Sequence, residues 1–320
     1  MSHGAEEWTM SITEVAAPTG EQYRIAHGDA EVEITEVGAT VRSYTVGGTP
    51  VLDGFDVGSR ATDGRGQVLA PWPNRIADGR YRYGTREVQC PLTEPAAADA
   101  IHGLVRWSDW ALLERTDSSV VLTCAVRPQP GYEWALRLRV GYHLDDTGLT
   151  VELTATNTGP ERAPFGAGFH PYLRLPGRRV DELLLTVPAE CRVLTDGGHE
   201  SVEEPVGGTE WDFRSARRIG DVALDTAYGR LTRGRDGRAV AVLADPDGRR
   251  TVRLWVDEGF RYLMVYTADQ VHATDRRRQA VAVEPMTCPP QAFRTGTDVV
   301  ELEPGGSWGG RWGLRPDLGS

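Results

Sequence analysis

The sequence of 320 residues predicts an all-β fold, a large and mostly antiparallel β-sandwich, and three observations carry that reading. Segments that alternate with period two recur from one end to the other. Helical periodicity is scarce, and turn signals stand between the alternating runs. Residues 1–320 are expected to form one domain, because no long Ser/Gly/Pro linker divides them and no repeat of fixed period is found. Residues 1–20 and 312–320 are expected to be loosely held ends.

In chain order, the alternating segments are 30–46, 118–126, 134–144, 148–157, 181–189, 239–245, 251–257, 262–268 and 298–305. Turns such as Val46-Gly47-Gly48, Asp145-Asp146-Thr147-Gly148 and Asp245-Pro246-Asp247-Gly248 separate them. The closing GGSWGGRWGLRP reads as a final strand and a tail. Two irregular stretches, 59–80 and 89–106, are where a rigid sandwich would carry a site.

Hydrophobic residues make up 40% of the chain and there are nine tryptophans, which fits a packed core rather than disorder. A formal net charge of -11 argues against a broad electrostatic grip on nucleic acid or anionic lipid. The run Arg276-Arg277-Arg278 reads as a solvated loop. Cysteines 90, 124, 191 and 288 have neither CxxC spacing nor neighbouring histidines, so free buried thiols are expected, with no metal site. The first ten residues lack a basic and then apolar leader, and no apolar run approaches the ~20 residues that cross a bilayer. The expected location is the cytoplasm.

Several segments hold residues suited to chemistry. In AVAVEPMTCPPQAF (280–293), Ala280, Ala282 and Glu284 share one strand face, with Val281 and Val283 on the other. A carboxylate ending a bare face, braced by prolines, suits a general base, although an edge-strand glutamate facing water fits as well. In APFGAGFHPYLRL (163–175), Gly166, Gly168 and His170 share a face, which places the histidine beside free volume or leaves it a structural residue at a sheet corner. In QVLAPWPNRIADGRY (67–81), prolines stiffen the backbone that presents Asn74 and Arg75, both donors suited to hydroxyl groups. An Arg75–Asp78 surface pair is the alternative. IHGLVRW (101–107) sets His102 before a glycine, near Trp107 and Trp110, whose indoles stack on a sugar or pack in the core. In ALDTAYGRL (223–231), Asp225 sits in a break, a usual place for a turn or cap carboxylate.

Taken together and in order, PWPNRI, IHG, FHPYLRL, LDTAY and VEPMTCPPQAF resemble the aldose 1-epimerases (galactose mutarotases) over nearly the whole chain. The resemblance implies a β-supersandwich that interconverts α and β anomers of a free aldose such as glucose or galactose. It implies His170 as general acid and Glu284 as general base, and Arg75, His102 and Asp225 as ligands of sugar hydroxyls, with Asn74 beside them. No cofactor and no metal are implied. The expected partner is a small sugar, with no nucleic acid or membrane, and the expected state is a monomer or homodimer. In YLMVYTA (262–268), Met264 takes the place where many family members carry a glutamine. IHGLVRW also resembles an element of the hexose-6-phosphate epimerases, where Arg106 or Arg65 would hold the phosphate. A non-catalytic carbohydrate-binding protein on the same fold is the further alternative.

Overall fold

Two large antiparallel sheets face each other across one apolar core in the computed structural model, which describes residues 17–195 and 200–319. The first sheet has nine strands in the order Ala111–Arg115, Ser119–Val126, Leu136–Asp145, Gly148–Asn157, Ser307–Asp317, Thr251–Val256, Ala239–Ala244, Leu184–Thr186 and Arg217–Arg218. The alternation explains why it has an inside. In Leu136–Asp145, residues Leu136, Leu138, Val140, Tyr142 and Leu144 are buried, while Arg137, Arg139 and His143 face water.

The second sheet runs Ser201–Pro205, Ala189–Thr195, Asp225–Leu231, Tyr262–Tyr266, Val281–Met286, Gly168–Phe169 and Val68–Leu69, and Tyr172–Leu173 also pairs with Val281–Met286. Phe169 joins the two sheets, its ring 5.1 Å from that of Trp312. A four-stranded sheet made of Gln22–His27, Ala30–Thr35, Val41–Val46 and Thr49–Pro50 packs its apolar side on the same core. Among the described residues the only α-helix is the single turn Ala292–Thr295, and no helix is long and apolar enough to cross a membrane. All four cysteines are free and buried.

The strand boundaries differ from the sequence pattern where glycine or irregular backbone intervenes. The 30–46 run is two strands, broken where Gly38 and Ala39 take positive φ (74° and 46°). Segment 181–189 holds a 3-10 turn, Val180–Glu182, and only the short strand Leu184–Thr186.

The expectation of a loose end at 312–320 is overturned for residues 312–317. Ser307–Asp317 is a long strand at the centre of the nine-stranded sheet, paired with Gly148–Asn157 on one side and Thr251–Val256 on the other. Trp312 and Leu314 are 1% and 0% exposed. The glycines that made this stretch look like a tail make room for indoles instead. A Cβ at Gly310 would lie 2.7 Å from the Trp308 ring, and one at Gly313 would lie 2.5 Å from Nε1 of Trp255. At the other end, residues 1–16 lie outside the described residues, and Thr19 is buried.

Candidate active site

Glu284 stands on an interior strand, not on an edge. Val281–Met286 is hydrogen-bonded between Tyr262–Tyr266 and Gly168–Phe169, and all six of its residues are buried. Val281 and Val283 point into the main core. Ala280 and Ala282 face the other way, in a small cluster with Tyr172, Ala268 and Val271. That leaves Glu284, 2% exposed, in the wall of a pocket of about 600 Å³. Pockets of this size hold small ligands.

His170 reaches the same point from the neighbouring chain segment. Its Nε2 lies 3.2 Å from Oε1 of Glu284. The imidazole stacks on Tyr172 (4.9 Å between centroids, 17° between planes) and meets His102 edge-on at 5.4 Å. Gly64 lies against the ring, since a Cβ there would come within 2.5 Å of His170 Cδ2. The expected free volume along the glycine face is not found. Cβ atoms at Gly166 and Gly168 would collide with Cys288 Sγ at 2.7 Å and the Pro285 carbonyl at 2.9 Å, with Pro73 close to both. These glycines admit neighbouring protein chain, and the open space lies on the Gly64 and Glu284 side instead.

The two irregular stretches form the adjoining wall. Asn74 and His102 both have positive φ (55° and 63°), a conformation that lets the two loops bond each other. The His102 N–H donates to the Asn74 carbonyl (2.9 Å), and the Asn74 N–H donates to His102 Nδ1 (3.1 Å). Since Nδ1 accepts, the proton of neutral His102 sits on Nε2. Burial, then the nearby His170, Arg106 and Arg75, holds His102 well below the ordinary imidazole value, consistent with that neutral form. Asn74 Oδ1 accepts from the Arg75 N–H at 2.9 Å, which leaves its amide N–H₂ to donate. Arg75 does not pair with Asp78. It clamps Glu94 in bidentate fashion (2.6 and 3.1 Å) with Asp99 at 3.5 Å, while Asp78 pairs with Arg294.

Asp225 completes the set from a third side. It begins the strand Asp225–Leu231 and is opposite Tyr266 in register, rather than sitting in a turn. The pocket walls raise its carboxyl above the ordinary value; Arg75 opposes that, and Glu94 and Asp269 reinforce it. All six residues singled out in the sequence, Asn74, Arg75, His102, His170, Asp225 and Glu284, therefore line one pocket.

Other lining residues carried no sequence pattern. Glu94 lies in the 89–106 stretch and Tyr172 two residues beyond His170, so position alone could have flagged them. Asp269, Gln270 and His272 could not be flagged in that way. They are presented by a loop that the arginine run anchors. Arg276 donates to Asp53 at 2.6 Å, and Arg278 bridges Asp181 and Asp269 at 2.5 and 2.7 Å, so these two are structural ion-pair partners rather than solvated charges. His272 in turn lies 2.6 Å from Asp63. Trp107 is 53% exposed and Trp110 is buried in the core, and neither lines the pocket. Met264 is the register partner of Glu284 and packs with Val193, Ala227, Tyr262 and Met286.

Burial dominates the electrostatics of the central pair. It pushes Glu284 well above the ordinary carboxyl value, with Asp225 adding and Arg75 opposing. It lowers His170 to about 3, with Arg65 and Arg106 contributing in the same sense. Both shifts act toward the uncharged forms of the two groups. His170 Nδ1 and Glu284 Oε2 are buried without a protein partner.

The structure is an antiparallel sandwich with a buried imidazole and carboxyl side by side in the wall of a polar pocket. The chain matches the family model described as aldose 1-epimerase over residues 21–315, and it belongs to that family. It is 34% identical over 298 residues to the uncharacterized protein YihR of Escherichia coli, covering 92% of this chain and 93% of that one. It is 26% identical over 284 residues to the aldose 1-epimerase of the same organism (81% and 80% covered). Among solved structures, a GalM/aldose epimerase homologue from C. elegans superposes with a TM-score of 0.81 at 17% identity, covering 94% and 99%. The galactose 1-epimerase of Lactobacillus acidophilus gives 0.77 at 19%, covering 93% and 95%. These two share the fold.

Proposed function

We propose that this protein is an aldose 1-epimerase, interconverting the α and β anomers of an aldose by acid–base ring opening and closure. The observation that carries the reading is the buried pair His170–Glu284, 3.2 Å apart in the pocket wall. The ring oxygen and the anomeric hydroxyl of a sugar share one carbon and lie side by side, as the two catalytic groups do. Glu284 as carboxylate takes the proton of the C1 hydroxyl while His170 as imidazolium gives its proton to the ring oxygen. The C1–O5 bond breaks, C1=O1 forms, and rotation about C1–C2 presents the other face for closure. The reverse transfers then restore both groups.

The proton count sets a condition on this scheme. The ring-opened state leaves Glu284 protonated and His170 neutral, and burial favours those same forms. The ionic pair that begins the reaction is thus the less favoured form in the empty pocket and needs the bound sugar's hydroxyls to stabilise it; each positioned group then contributes ~10²- to 10⁴-fold. Arg75, Asp225, the Nε2–H of His102 and the amide of Asn74 would hold the ring hydroxyls.

The test is the rate at which fresh α-glucose and α-galactose reach anomeric equilibrium, by polarimetry, with and without protein. Acceleration by the wild type that disappears in Glu284→Gln supports the reading. Equal rates for the two proteins would remove the pair from catalysis.

A further inference from the structure

We propose that Asp63 is a positioning residue for His170, and that through His272 it ties the loop at the pocket rim to the imidazole. This rests on the epimerase reading above.

The turn that holds Asp63 is what backs the imidazole. Gly64 lies against the ring edge, and the chain beyond it bonds to the His170 backbone. The Gly66 N–H donates to the His170 carbonyl at 2.9 Å, and the His170 N–H donates to the Gln67 carbonyl at 3.3 Å. The Asp63 carbonyl accepts from the Tyr172 hydroxyl at 3.0 Å, and Tyr172 is the ring stacked on His170. The Asp63–Gly64 peptide thus meets the imidazole at its edge and, through Tyr172, holds its face.

Backbone preference does not keep this turn in shape. Asp63 has a φ of 52°, and Gly64 follows at 75°. The left-handed region is unfavourable for a residue with a Cβ, and it persists where surrounding bonds over-determine it. The Asp63 side chain makes those bonds. Its Oδ2 accepts from Arg65 Nη1 at 2.9 Å. Its Oδ1 accepts from the backbone N–H of His272 at 3.2 Å and from His272 Nδ1 at 2.6 Å. A carboxylate only accepts, so Nδ1 carries the proton.

These bonds close a circuit. Arg65 Nε donates to Asp53 at 3.2 Å, Arg276 donates to the other oxygen of Asp53 at 2.6 Å, and Arg276 leads back to the loop that carries His272. The Asp53 N–H donates to the Tyr172 carbonyl at 2.9 Å, which fastens the circuit to the segment after His170. The side chains of Asp53, Arg65 and Asp63 are 4%, 1% and 9% exposed, so their attraction is little screened. The His272 ring is 89% exposed, which makes its bond the weakest of the circuit. The same loop presents Gln270 and His272 to the pocket. Rim and imidazole are therefore held as one body.

The experiment compares wild type, Asp63→Gly, His272→Ala and His272→Asn. Glycine accepts the φ of 52° without strain, so Asp63→Gly removes the carboxylate and spares the backbone. Folded Asp63→Gly is expected to lose about ten- to a hundredfold in kcat for equilibration of fresh α-glucose, with KM within about twofold of wild type. His272→Ala keeps Arg65 paired with Asp63, and so tests the circuit even if Asp63→Gly folds poorly. It is expected to lose about two- to fivefold, the range of an exposed ion pair. His272→Asn, whose amide can donate from the place of Nδ1, should recover most of that loss. In Asp63→Gly and His272→Ala the nuclear magnetic resonance signals of the His170 imidazole, identified with His170→Asn, should move, which a merely stabilising contact would not cause. Wild-type kcat in folded Asp63→Gly would overturn the inference, and so would a lost kcat with the His170 signals in their wild-type places. If the wild type accelerates no aldose, the epimerase reading falls and the His170 signals decide alone. Movement then supports the positioning role, and unmoved signals overturn it.

Discussion

His170 Nε2 and Glu284 Oε1 lie 3.2 Å apart although the two residues, one just past the strand Gly168–Phe169 and the other within Val281–Met286, are 114 positions apart in the chain, and both side chains are almost fully buried. The sheet brings them together because Gly168–Phe169 pairs with Val281–Met286, Gly168 opposite Met286. An imidazole and a carboxyl at hydrogen-bond distance and away from water act as one titrating unit.

His170→Asn and Glu284→Gln should therefore each reduce kcat by ~10²- to 10⁴-fold, and the double variant should lose little more than the worse single one. Stopped-flow polarimetry with circular dichroism melts checks this. Additive losses would mean that the two groups act independently.

Gly64→Ala should slow turnover although Gly64 itself transfers no proton. Its methyl would come within 2.5 Å of His170 Cδ2 and must displace the ring, and small displacements of a catalytic group can cost up to ~10²-fold. The φ of +75° adds about 1–2 kcal/mol of strain. A kcat at the wild-type level would show that the imidazole position is not critical.

Stability should depend on pH through the same pair. The Glu284 carboxyl is raised from its ordinary 4.5, so its contribution is fully present below pH 4.5 and is lost as pH rises toward the raised value. His170 is depressed from 6.5 to about 3, so its contribution is present above pH 6.5 and lost as pH falls toward 3. Glu284→Gln removes the first effect, so its Tm should gain on the wild type as pH is raised from 4.5 to 8. Parallel Tm curves for the two proteins would contradict the raised carboxyl.

Leu314→Ala should destabilise the fold by about 2–5 kcal/mol, because the side chain is fully buried in a central strand. Denaturant unfolding measures this, and kcat of the folded fraction should hold. A change near zero would mean that the C-terminal strand is not part of the core.

Much of this was legible in the sequence. Alternation placed Val281 and Val283 inward and Glu284 on the opposite face, and the six candidate residues converge on one pocket. What escaped the sequence depends on contacts between distant segments. The glycines near His170 read as open space, but Pro73 and Cys288 fill it. The C-terminal glycines diluted the alternation of a strand whose neighbours are indoles. The arginine run looked solvated because its partners, Asp53 and Asp181, lie 223 and 97 residues away.

The most direct measurement is anomer equilibration of fresh α-glucose and α-galactose by wild type beside Glu284→Gln. Acceleration by wild type alone is the result expected here. A Glu284→Gln protein that is folded and equilibrates the sugar as fast as the wild type would contradict the assignment of the His170–Glu284 pair as the acid–base centre.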